Sequence, residues 1–82
     1  MIYRSRSDVT NASRADLDRW LANQAVGKFA AREEYDDTYE RGYLRNRTLR
    51  CVRVYLTDEC DRIALRESFD VVKVDFDVPL PM

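Results

Sequence analysis

In the C-terminal third of the chain apolar positions recur every second residue, whereas before residue 30 they recur every third or fourth. Val52, Val54 and Leu56 alternate with Cys51, Arg53 and Tyr55, the pattern of a strand buried on one face. Val72, Val74, Phe76 and Val78 alternate with Val71, Lys73, Asp75 and Asp77 in a second such strand. Pro79 and Pro81 stop it, because proline has no ladder donor. Between the two, Thr57–Asp61 is polar enough to turn the chain. Ile63 and Leu65 alternate with Arg62, Ala64 and Arg66, which predicts a third strand. The rival reading is a short helix over 58–68, disfavoured because its apolar positions do not line up on one face.

Leu17, Trp20, Leu21, Ala25 and Phe29 fall on one face of a helix that begins after Asn11 or Ser13. Either side chain can accept from the first free amides, and Asp16 and Asp18 lie in the first turn, where the helix dipole favours acids. Gly27 ends or bends this helix. A second helix is predicted from Lys28 to Arg41, rich in good helix formers and followed by Gly42. On it Tyr35 and Tyr39 form a stripe, and Asp37 to Arg41 is a four-residue charge pair worth a few tenths of a kcal/mol. The competing reading makes Glu34–Tyr39 strand or loop. Ile2-Tyr3-Arg4 can add an edge strand. Residues 1–82 are thus expected to form a single α+β domain, with N-terminal helices packed on a small antiparallel sheet, a three-stranded meander.

Composition narrows the function classes. At 45% apolar and 35% charged residues, with two glycines and two prolines, the chain is expected to fold. No apolar run approaches a membrane span, and the first residues lack the apolar core of a signal peptide, which predicts a cytoplasmic protein with no membrane partner. The net charge of −1 removes the strongly acidic shell of a DNA mimic and the strongly basic one of a DNA coat. It is unevenly placed: residues 1–53 carry eleven basic and eight acidic groups, and residues 54–82 three and seven.

The chain has no histidine and no glycine-rich phosphate loop, so neither a common general base nor a nucleotide cradle is present. Two cysteines, Cys51 and Cys60, cannot form a four-ligand zinc site; both are expected to be reduced, with Cys51 in the core. Asp75 and Asp77 share a predicted strand face and could hold a divalent cation, and Glu33–Asp37 invites the same idea. Both read more simply as solvated charge. No catalytic residue, metal ligand or cofactor is assigned, and the chain is not expected to be an enzyme.

The block from Glu33 to Arg53 carries the functional signal. Five carboxylates (Glu33, Glu34, Asp36, Asp37, Glu40) precede five arginines (Arg41, Arg45, Arg47, Arg50, Arg53), with Tyr35, Tyr39 and Tyr43 four apart between them. Tyrosine and arginine are enriched at interfaces, and separated charges steer a partner of matching polarity. Glu33, Tyr35, Asp36, Asp37, Tyr39 and Glu40 are therefore the candidate partner-binding residues for a protein. The alternative assigns Tyr43, Arg45, Arg47, Arg50 and Arg53 to nucleic acid. If the strand extends back through Tyr43, then Tyr43, Arg45, Arg47, Arg53 and Tyr55 share one face, against which stand Leu49 and Cys51 on the same face and the neutralising charge of Glu33–Glu40. A homodimer and a structural subunit of an assembly are further readings. In its compact, charge-rich, single-domain character the chain resembles the small proteins that phages and mobile elements use to block host complexes, anti-CRISPR proteins among them. That likeness is one of size and composition. It implies an inhibitor whose acidic helix occupies a basic channel of a nucleic-acid-binding host complex.

Overall fold

The computed structural model describes residues 2–79. Its elements alternate as β1 (Ile2–Thr10), α1 (Arg14–Gln24), β2 (Phe29–Glu40), β3 (Tyr43–Leu56), α2 (Glu59–Ser68) and β4 (Asp70–Pro79). The strands form one antiparallel sheet in the order β2-β3-β1-β4. Each helix therefore leads over an intervening strand, a split βαβ repeated twice. This arrangement hosts many unrelated functions, so topology alone assigns none.

The sheet overturns the expected three-stranded meander with N-terminal helices. Ile2–Thr10 is a central strand nine residues long, not a three-residue edge. Ser5, Ser7 and Val9 pair with Leu56, Val54 and Val52 and are buried with them. Two of those three inward positions are serines, small enough for close packing but invisible to a search for apolar alternation. The predicted helix Lys28–Arg41 is instead β2, paired along its whole length with β3. Helix propensity differs among ordinary residues by under 1 kcal/mol each, and a continuous ladder to β3 overrides it.

The predicted strand at Ile63–Leu65 is part of helix α2, the rival reading. Asp58 caps it by accepting the Cys60 amide at 2.8 Å. Its two buried residues, Asp61 and Leu65, are four apart, so half of the inward face is a carboxylate and the apolar stripe is incomplete. α1 forms as expected from Ser13, whose hydroxyl accepts the Asp16 amide at 3.1 Å. It ends at Gln24, before Gly27, and Phe29 belongs to β2.

One core lies between the helices and the sheet: Val9, Leu17, Leu21, Val52, Val54, Leu56 and Leu65, all fully buried. Each such side chain contributes about 1.5–3 kcal/mol of burial. Trp20 and Phe69 close its rim edge to face, with ring centroids 5.9 Å apart. On the opposite face of the sheet a smaller cluster joins Tyr3, Tyr55 and Val78. Cys51 is buried and Cys60 exposed, and neither is bonded. Among the described residues no helix is long and apolar enough to cross a membrane.

Candidate functional site

The block of acid followed by base folds back on itself at Arg41-Gly42. Both residues have positive φ (53° and 82°), the backbone of a type I′ turn, whose twist matches that of the strands it joins. Antiparallel pairing then lays the acidic strand beside the basic one. Asp37 is opposite Arg47, Asp36 opposite Thr48, and Glu40 opposite Tyr43. The charge polarity along the chain becomes ion pairing across the hairpin.

Most of this hairpin stands clear of the body. β1 pairs with β3 only as far as Val52, so residues 35–50 form a two-stranded ribbon with every side chain at least partly exposed. The molecule is accordingly elongated, 46 × 24 × 19 Å, with a radius of gyration of 13.9 Å. A compact chain of this length has a radius of about 12 Å.

Two residues in β3 have no opposite number. The register steps from Glu34↔Cys51 to Tyr35↔Leu49 and from Thr38↔Asn46 to Tyr39↔Leu44, leaving Arg50 and Arg45 as bulges. The single face expected for Tyr43, Arg45, Arg47, Arg53 and Tyr55 is therefore broken twice. Four arginines of the block also meet a carboxylate. Arg45 bonds Glu40, Arg47 forks onto Asp37 at 2.8 and 3.0 Å, and Arg50 lies 3.6 Å from Asp36. Arg53 lies between Glu34 (3.4 Å) and Asp8 (3.5 Å). The Arg47 hydrogen bond holds the Asp37 carboxyl below its ordinary range, and Asp37 in turn raises Arg47.

Of the candidate partner-binding residues, Glu33, Tyr35, Asp37 and Tyr39 share one face of β2, while Asp36 and Glu40 lie on the other. The Tyr35 hydroxyl donates to Glu33, and the Arg47 guanidinium lies 5.4 Å from the Tyr35 ring centre. Leu49 lies opposite Tyr35 and Leu44 opposite Tyr39. The result is a stripe of Tyr35, Leu49, Tyr39 and Leu44, crossed by the Asp37–Arg47 pair. Tyr35 is 41%, Tyr39 63% and Tyr43 78% exposed. Leu44 was not a candidate in the sequence. Its signal is its place two residues beyond Gly42, the mirror of Tyr39 about the turn.

The open face of the sheet carries two separate runs of alternating charge, one over β2, β3 and β1 and one over β1 and β4. Arg32, Glu34, Arg53 and Asp8 follow one another at 3.7, 3.4 and 3.5 Å. Arg6 bonds Asp75, which also lies 3.9 Å from Lys73. Desolvation is the largest influence on Arg6 and opposes its charge, but the hydrogen bonds and fields of Asp75 and Tyr55 together outweigh it and raise its pKa. Tyr3 and Tyr55, at the centre of this face, are buried against each other and offer no stacking surface for a base; the exposed ring on the same side is Tyr43, opposite Glu40 at the ribbon tip.

The two strand carboxylates proposed for a cation are apart. Asp77 has φ 55°, which breaks the alternation, and it lines a 370 Å³ cleft with Arg4, Ser5, Glu59, Arg62 and Phe76. Asp75 is engaged by Arg6 and Lys73 instead. Among the described residues no three metal-ligating side chains come together. Comparison with protein-family models, curated proteins and solved structures finds no match for this chain.

Proposed function

We propose that the chain is a non-enzymatic, cytoplasmic protein-binding module whose contact surface is the β2–β3 arm, centred on Tyr35, Tyr39, Leu44 and Leu49. One observation carries this reading: a two-stranded ribbon reaches beyond the sheet with an exposed aromatic and aliphatic stripe along one face. Isolated two-stranded ribbons are marginal in water, and the ion pairs along this one are exposed and individually worth little. A partner laid over the stripe would desolvate the tyrosines and strengthen the charge pairs beneath them. Blocking a host complex, the role of phage-borne proteins of similar size, is one use of such an arm. It rests on likeness of size and composition, and its expected acidic helix is replaced by a strand whose carboxylates face arginines.

The test is an affinity pulldown from bacterial lysate with nuclease present, comparing the native chain with Tyr39→Ser/Leu44→Ser. The reading expects a discrete protein partner that the double substitution loses. Retention unaffected by the substitutions overturns it, and retention abolished by nuclease alone transfers the function to nucleic acid and the arginines.

A further inference from the structure

We propose that the outer edge of β2 accepts an extended segment of a partner protein as a fifth strand, and that this segment alternates basic with apolar residues. The strand order leaves β2 at the margin of the sheet, where alternate residues direct N–H and C=O groups away from β3. Over its twelve residues it contains neither proline nor lysine, and each of them has a partner on β3, whose own Arg50 and Arg45 take up the two register shifts. The opposite margin is blunted in several ways. β4 carries Lys73 and Pro79, shifts register beside Asp8 and Val9, and takes a left-handed step at Asp77. Of the two margins, only β2 is a regular template.

Charge selects the occupant. From Glu33 to Glu40 β2 carries five carboxylates and no base; the arginines that answer Asp36, Asp37 and Glu40 sit on β3, on its inner side, while Glu34 also meets Arg32 of its own strand and Glu33 meets Arg14 of α1. A second copy does not fit. Antiparallel self-pairing brings Asp36 against Asp37 or their neighbours, parallel pairing in register sets each carboxylate against itself, and β4 of a second copy offers three aspartates to one lysine. Like charges directly opposite are destabilising, so the acidic edge turns away its own kind while admitting a basic strand.

The two faces of the edge differ. On the tyrosine face Glu33 is occupied by the Tyr35 hydroxyl and Asp37 by the Arg47 fork. On the other face Asp36 meets Arg50 at 3.6 Å and Glu40 bonds Arg45, yet their side chains stay 64% and 53% exposed and can take a second cation from the outer side. They are four residues apart, so an added strand meets them with side chains of one face. Its alternate side chains fall beside Tyr35 and Tyr39. Basic residues on the first face and apolar ones on the second satisfy both, the pattern of strand addition with side-chain selectivity.

The probe is a fluorescein-labelled nonapeptide alternating lysine and valine, titrated onto the intact chain by anisotropy and by amide spectra. Binding should slow hydrogen exchange at alternate amides of β2 and leave those of β4 unchanged. The same peptide N-methylated at every second residue should not bind, since one row of its donors is gone. Asp36→Asn/Glu40→Gln, with the β2–β3 ladder verified in the amide spectrum, should weaken binding at least about fivefold, the size expected of two cross-strand charge pairs. No binding, equal binding of the N-methylated peptide, or protection at β4 overturns the proposal. This edge belongs to the arm proposed above as the contact surface, and the two claims fail separately. A lysate partner lost with Tyr39→Ser/Leu44→Ser, together with unprotected β2 amides, keeps the arm and removes the added strand. A protected β2 edge with a lysate partner indifferent to that substitution does the reverse.

Discussion

The Asp61 carboxylate, on the inward face of α2, accepts the Gly27 amide at 2.9 Å and so ties the second helix to the loop that enters β2. It accepts the Val26 amide as well, at 2.9 and 3.1 Å to its two oxygens, and is only 2% exposed. Gly27 packs so closely here that a Cβ would stand 2.7 Å from Thr57 Oγ1 and 2.9 Å from Asp58 Cβ. Asp61→Ala strands both amides and removes a buried charge-assisted acceptor, at a cost of about 2–4 kcal/mol. Asp61→Asn keeps one acceptor oxygen and should lose about half as much. Chemical denaturation of the three chains checks the ranking; an alanine variant as stable as the native protein refutes the clamp.

Leu21 is fully buried between α1 and the sheet. Leu21→Ala should cost about 2–5 kcal/mol, the range for deleting a core leucine. Thermal denaturation should show a fall in Tm of at least about 8 °C for a domain of this size. Tyr39→Ala, on the exposed ribbon, should stay within about 0.5 kcal/mol of the native protein. That contrast separates residues that hold the fold from those proposed to bind.

How far these elements could be read beforehand depended on whether local pattern and tertiary placement agreed. The strand at Val52–Leu56 and the helix from Ser13 were legible because their buried positions are apolar at the right period; β4 was legible by its period alone, since Val72 and Phe76 are 66% and 61% exposed and Val71 packs on the core instead. β1 was not, because Ser5 and Ser7 occupy buried positions, and α2 was not, because Asp61 does. The tyrosine stripe was legible for a reason that did not depend on the predicted helix. Positions four apart share a face in a helix and in a strand alike, so Tyr35 and Tyr39 stay together in either. Asp36 and Glu40 do not follow them, and only the strand period separates them from the stripe. The arginine face was lost to two bulges, which no single-residue pattern announces.

The turn at the tip of the ribbon makes a separate prediction. Gly42 has φ 82°, and a Cβ there would meet nothing within 4 Å, so Gly42→Ala is opposed by backbone strain alone. It should cost about 1–2 kcal/mol and loosen the ribbon before the body. Arg41 also has positive φ, and Arg41→Asn, a residue type at ease there, should tighten the same turn. Hydrogen exchange at residues 36–48 reads both changes.

Acid should act on the ribbon late. The Arg47 hydrogen bond lowers the Asp37 pKa below its ordinary 3.8, so the pair's contribution is present above that value and lost as pH falls through the lowered one. The pair lies at the surface of the ribbon, so its effect on global stability is screened. A carboxyl-carbon titration should place Asp37 below its ordinary value, and Arg47→Gln should return it there. An unchanged titration in the variant removes the pair as the cause.

The central position of β1 also dictates an order of assembly. Its neighbours are β3 on one side and β4 on the other, and Ile2 lies opposite Pro79, 77 positions away. The β2–β3 ribbon closes through a two-residue turn, a microsecond event, whereas β1 acquires its second neighbour only once nearly the whole chain has been gathered. The part of the molecule proposed to meet a partner is therefore the part able to form first, and during synthesis it emerges while the last strand of the sheet has yet to be made.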